Sequence, residues 1–177
     1  MRRPGGKKPL ESTQAQDPRA AYSAAVALLA RRDHSRVELT RKLSERGFAP
    51  EAVVQALAEM GESKVLDDSR YGANVVAYRA RRGQGPARIR NELRRAGVAA
   101  ETVESALGAD SDAPDFVALA REARRRKFGD ELPKDWKARA KQARFLQYRG
   151  FSTDHIRAVL EGDPEIESGP DISEPFR

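Results

Sequence analysis

Apolar residues recur at helical intervals along most of the chain. Leu28, Leu29, Leu39, Leu43, Val53, Val54 and Leu57 line up on helical faces in the first third. Local punctuation divides this periodicity into segments. Ser35-Arg36-Val37-Glu38 reads as a capping box, in which the serine accepts from the amide three residues on and the glutamate reaches back. Pro86 follows Gly85 at a first helical position, where a missing N–H costs nothing. Gly47, Gly97 and Gly150 each follow a helical run and precede an apolar residue, which suits a left-handed glycine just past a helix end. The pattern predicts helices over 19–32, 36–46 and 50–60, then 68–82, 86–96 and 100–108, then 114–127, 134–149 and 153–161.

The nine segments form three copies of one unit. Arg41-Lys42-Leu43-Ser44-Glu45-Arg46-Gly47-Phe48 is echoed fifty positions on by Asn91-Glu92-Leu93-Arg94-Arg95-Ala96-Gly97-Val98. The same offset carries Leu39 to Ile89, Val53 to Val103 and Leu57 to Leu107. A third copy follows 53 positions later, where Leu146, Gly150, Phe151, Ile156 and Leu160 answer Leu93, Gly97, Val98, Val103 and Leu107. The expected fold is all-α, with three tandem three-helix repeats in an elongated array open to curvature. A unit of this size buries little surface alone, so neighbours must support one another. The division is residues 1–17 as a disordered basic arm, 18–62, 63–109 and 110–161 as repeats, and 162–177 as a disordered acidic tail.

Composition narrows the class. In 177 residues aromatics are 6%, which favours helices packed through Leu, Val and Ala over a large β core. With no cysteine, disulfides, thiol nucleophiles and cysteine-ligated metals are excluded. His34 and His155 are the only histidines, too few for a histidine metal site, and each is expected to be structural or exposed. No apolar run approaches the length of a membrane span and the basic start has no following apolar core, so a cytoplasmic protein is expected. No cofactor, metal or catalytic residue is assigned.

Charge changes the picture most. The chain carries 33 basic and 27 acidic residues, a net of +6. Arg79 to Arg95 holds seven arginines against one acid, and Arg121 to Arg149 holds eleven bases against four acids. Glu161 to Arg177 holds six acids against one base. Clustered cations suggest a polyanionic partner, nucleic acid first, while a solvated helical face explains such runs about as well. Basic groups recur at the ends of equivalent helices, at Arg31 and Arg32, at Arg79, Arg81 and Arg82, and at Arg124, Arg125, Arg126 and Lys127. Arg88, Arg90, Arg94 and Arg95 widen the stripe. Cations suit a helix C-terminus in any protein, but three repeats doing this at one place favours contact with phosphates or an acidic surface. The opposite sign of the tail raises the further idea that it folds over the stripe.

Other motifs have plainer readings. Asp67 and Asp68 are adjacent carboxylates with no third ligand near in sequence, and a helix cap is the stronger reading. Gly83-Gln84-Gly85-Pro86 lacks the Lys-Ser/Thr ending of a phosphate loop and reads as a turn. Trp136, Phe145, Tyr148 and Phe151 could stack on bases, although a small core is the safer role.

The segment Ala27-Leu28-Leu29-Ala30-Arg31-Arg32-Asp33-His34-Ser35-Arg36-Val37-Glu38-Leu39, with Leu43 and Gly47-Phe48, resembles the opening of the bacterial regulatory protein RecX family. Leu66-Asp67-Asp68-Ser69-Arg70-Tyr71, Gly83-Gln84-Gly85-Pro86-Ala87-Arg88-Ile89 and Arg144-Phe145-Leu146-Gln147-Tyr148-Arg149-Gly150-Phe151 resemble its later signatures, in order, over residues 22–160. Gly72 departs from the alanine usual there. The resemblance implies a non-enzymatic monomer that binds the RecA recombinase and its filament on single-stranded DNA. Along the filament groove it would restrain ATP hydrolysis, strand exchange and co-protease activity in DNA repair and the SOS response. Direct DNA contact would accompany this. The alternative is a stand-alone nucleic-acid-binding protein. A nuclease is disfavoured, since no triad of acids or metal-ligand spacing is present.

Overall fold

The computed structural model describes residues 11–108 and 113–160. All regular structure among them is helical: α1 (Ser12–Ala15), α2 (Pro18–Leu29), α3 (Arg36–Ser44), α4 (Pro50–Glu62), α5 (Asp68–Arg81), α6 (Pro86–Arg95), α7 (Ala100–Gly108), α8 (Phe116–Phe128), α9 (Trp136–Tyr148) and α10 (Thr153–Leu160). The nine predicted helices are all present. α8 and α9 begin two residues later than the pattern suggests, because the carboxylates of Asp115 and Asp135 accept from the Ala118 and Ala138 amides and set the starts. The arm expected to be structureless over 1–17 is corrected at its end. Ser12–Ala15 form a helical turn, and the Ala15 carbonyl accepts from the Ala49 amide at 2.8 Å, which ties the turn to the start of α4. The remainder of that arm, residues 1–10, and the acidic tail lie outside the described residues.

The helix ends are built as the glycines suggest. Gly47, Gly97 and Gly150 have φ of 93°, 77° and 90°, and the amides of Phe48, Val98 and Phe151 return to the carbonyls of Leu43, Leu93 and Leu146. Each bond satisfies a carbonyl that the helix itself leaves open. The capping box is only half formed. The Glu38 amide donates to Ser35 Oγ at 3.1 Å, but the Glu38 carboxylate turns to His34 Nδ1 at 3.0 Å and Arg32 at 3.2 Å instead of the Ser35 amide. Two charged or ring N–H donors outcompete one backbone amide for an anion.

The chain forms two compact units. The first comprises residues up to Asn74 together with Leu93–Glu104, and the second Val75–Glu92 together with the residues from Ser105 onward. In the first unit α2 packs on α3 and α4. Alanines at 21, 25, 52 and 56 are buried on the first and last of these, and small side chains let helix axes approach closely. Leu28, Leu39, Leu43, Val53, Leu57 and Met60 complete the core. Leu39 and Leu43 are fully buried, each contributing about 1.5–3 kcal/mol by leaving water. In the second unit α10 packs on α8 and α9, and α8 on α9. Phe116, Ala120, Leu146, Phe151, Ile156, Val159 and Leu160 are buried there.

One joint between successive repeats occurs twice. In the first unit the Ser35 hydroxyl, at the start of α3, donates to the carbonyl of Ala96, in the closing turn of α6. A Cβ on Gly97 would lie 2.5 Å from Val37 Cγ2. In the second unit the Gly85 amide, at the start of α6, donates to the carbonyl of Arg149 at 2.8 Å, and the Ala87 amide to that of Gly150 at 3.0 Å. A Cβ on Gly85 would lie 2.3 Å from the Gly150 carbonyl carbon, so only glycine permits this approach. The middle helix of each of the first two repeats thus starts against the C-terminal turn of the next repeat's middle helix. The first joint has two further ties. Asp68 accepts from the Arg36 amide at 2.9 Å, and Asn74 donates to Asp33 at 3.0 Å.

Candidate polyanion-binding site

The thirteen predicted cations do not share one role. Arg124 is only 3% exposed. Its Nε donates to Gln142 Oε1 at 2.8 Å, and its guanidinium also reaches the carbonyls of Asp130 and Glu131. It ties α8 to α9 and the intervening loop, so its assignment as a contact residue is corrected. An arginine can be buried at this cost only when its donors are satisfied. Arg79 is half-buried and ion-paired to Glu92 at 2.5 Å, and Arg90 is likewise half-buried. Arg125 and Arg126 are exposed and share Glu122, at 2.8 and 2.7 Å. Those two hydrogen bonds hold the Glu122 carboxyl below its ordinary range.

Four of the predicted residues meet in one place. Arg81 and Arg82, at the end of α5, face Arg126 and Lys127 of α8 across an open cleft of about 490 Å³ in the second unit. Ala80, Leu119 and Ala123 give it an apolar lining, and Glu122 is its one acid among the described lining residues. A fifth cation, Arg149, was not in the sequence-based set. It closes α9, and its guanidinium donates to the carbonyls of Arg82 and Gly83 at 3.3 and 3.1 Å. The ring of Phe145 lies 4.6 Å from Lys127 Nζ and 4.8 Å from the Arg149 guanidinium carbon, anchoring both by cation–π attraction. Phe145 itself packs edge-on against Phe128, centroids 5.3 Å apart. The cleft thus holds cations from the second and third repeats on a fixed frame, an arrangement that attracts phosphates or carboxylates.

Aromatic residues flank these cations. Tyr78, half-exposed, has the guanidinium carbons of Arg79 and Arg82 at 5.4 and 5.3 Å from its ring, and Arg82 also donates to its hydroxyl. Tyr148 is 80% exposed with Arg88 at 5.9 Å. Phe151 is buried and serves the core, while Trp136 is half-exposed. In the first unit Arg31, Arg32, Arg94 and Arg95 are exposed. Arg32 pairs with Glu38, and Arg94 lies 3.9 Å from Glu104.

The other titratable motifs are structural. Asp67 Oδ1 accepts from the Ser69 and Arg70 amides at 2.8 and 3.0 Å, which caps α5 and lowers its pKa. His34 is 4% exposed. Burial lowers its pKa, and the Glu38 hydrogen bond only partly opposes this. Burial pushes Glu38 up, but the hydrogen bonds from His34 and Arg32 more than offset it and hold the carboxyl low. His155 and Ser152 exchange amide contacts at 3.3 Å to cap α10. Among the described residues no helix is long and apolar enough to cross a membrane.

Comparison with known proteins agrees with this architecture. The pattern described as "RecX, first three-helix domain" matches residues 21–60, the second domain residues 67–107 and the third residues 114–160. The Regulatory protein RecX of Ectopseudomonas mendocina (strain ymp) is 48% identical over 84% of this chain and 98% of its own. That of Pseudomonas syringae pv. tomato is 47% identical over 82% and 92%, and that of Halorhodospira halophila 43% over 85% and 93%. The crystal structure of RecX from Lactobacillus salivarius shares the fold with a TM-score of 0.70 at 20% identity, covering 82% of this chain and 95% of that one. On identity across most of its length and on three helical domains in one order, the chain belongs to the RecX family of regulatory proteins.

Proposed function

We propose that this chain binds the RecA recombinase and its filament on single-stranded DNA, and thereby restrains ATP hydrolysis, strand exchange and co-protease activity. The ordered match of all three helical domains to RecX carries this reading. The cleft supports it with a contact surface. Arg81, Arg82, Arg126, Lys127 and Arg149 converge there from two repeats, suited to DNA phosphate or to carboxylates on the filament. In this reading the protein works as a cytoplasmic monomer and catalyses nothing. The test is RecA ATPase on single-stranded DNA, titrated with this protein. Turnover should fall in a saturable, salt-sensitive way, and unchanged turnover at saturating protein overturns the reading.

A second reading has one observation in its favour. Tyr148, exposed beneath Arg88, is an arrangement on which an unpaired base can stack. A stand-alone nucleic-acid binder would bind oligonucleotides with a steep salt slope and leave a preformed filament untouched.

A further inference from the structure

The same chain carries a segment whose chemistry complements the cleft. The family match ends at residue 160, and seventeen residues follow, with six acids against one base. Their pattern is specific: Glu165-Ile166-Glu167, Asp171-Ile172 and Glu174-Pro175-Phe176 set apolar side chains beside or between carboxylates. The cleft offers the complement, with guanidinium and ammonium groups around an apolar lining that includes Leu119. Reach does not limit the contact. α10, from which the segment departs, packs on α8, which supplies Arg126 and Lys127. A thirteen-residue helix is about 20 Å long, whereas seventeen extended residues span up to about 56 Å.

We propose that the acidic segment 161–177 occupies the cleft of the second unit and competes there with the polyanionic partner. This rests on the reading of the cleft as the contact surface given above. Because the segment lies beyond the family match, the device is a property of this chain and not of the shared three-domain body. Tethering supplies an effective concentration of about 1 mM, so even a contact of ~0.1–0.5 mM affinity lowers apparent partner affinity about three- to tenfold. The contact is electrostatic, so added salt releases it.

Two measurements on the full chain test this. The protein has no cysteine, so S173C accepts a single nitroxide label. Amide signals of Ala80, Leu119 and Ala123 should broaden at low salt, recover at high salt, and stay sharp in the same labelled chain carrying R126E and K127E. Sharp signals in the labelled parent, or equal broadening in the charge-reversed chain, overturn the docking. In the second measurement, E165Q/E167Q/D171N/E174Q should inhibit RecA ATPase at a three- to tenfold lower concentration than the parent at low salt, and equally at high salt. Equal potency at low salt overturns the competition while leaving the filament reading intact. If neither chain inhibits, the filament reading falls, the competition falls with it, and the label alone decides the docking.

Discussion

The hydroxyl of Ser35 donates to the carbonyl of Ala96, 61 residues further along the chain, while its oxygen accepts from the Glu38 amide at 3.1 Å. One side chain therefore caps a helix and closes a joint between repeats. Ser35→Ala should remove the cap and leave a buried carbonyl unpaired, costing roughly 2 kcal/mol in total. Urea denaturation followed by helical signal measures this, and a loss below about 0.5 kcal/mol would show that the joint contributes little.

The second joint allows a sharper comparison. Gly85→Ala places a methyl 2.3 Å from the Gly150 carbonyl carbon and the Phe151 amide nitrogen. Backbone must move, at a cost of about 2 kcal/mol or more. Gly108, with nothing within 4 Å of its hypothetical Cβ, accepts alanine without loss. Equal melting temperatures for the two variants would refute the close approach.

Charge reversal and burial separate two kinds of arginine in the second unit. Arg81→Glu with Arg82→Glu should weaken filament inhibition at least tenfold while leaving helicity and stability near the parent. Arg124→Met should do the reverse, costing about 2 kcal/mol of stability because Gln142 Oε1 loses its buried donor. Arg79 is left out of the reversal set because its pairing with Glu92 would confound the result. Inhibition curves and urea midpoints on the same samples decide the matter.

Acid should loosen the first unit. His34 is held neutral by burial, so its folded pKa lies below the ordinary 6.5. The unfolded chain then takes up a proton that the folded chain refuses, and stability falls as pH drops below about 6.5. Glu38, also lowered from 4.5, adds a second loss as pH falls below that value. His34→Asn keeps an N–H donor toward Glu38 without the titration. The urea midpoint of the parent should decline between pH 7.5 and 5.5, and that of the variant should decline less. Parallel declines would remove His34 as the cause.

The helices were legible because their signals are local. A capping aspartate, a first-turn proline or a closing glycine acts within four residues, and the fifty-residue echo repeats those signals. Partners of side chains were less legible. Glu38 fits a capping box in sequence, yet Arg32 and His34 lie closer to its carboxylate once the preceding loop folds. Arg124 stands in a run of four cations and looks like its neighbours, but helical rotation points it alone at Gln142. Arg149 ends the basic stretch that begins at Arg121 but stands five residues past Arg144, apart from the clustered cations at the helix ends, so the charge pattern does not mark it. Its one sequence signal is position, immediately before the closing glycine of the third repeat, the turn that meets Gly85. Asp68 stands in sequence where it can cap its own helix, yet it takes the first amide of α3, thirty-two residues earlier.

Arg149 has a consequence for biogenesis. Its guanidinium is clasped by the Arg82 and Gly83 carbonyls only after the third repeat has seated on the second. A ribosome extrudes residues 81 and 82 long before it reaches 149. The full concentration of positive charge in the cleft therefore waits on the third repeat, well after Arg81 and Arg82 have been made.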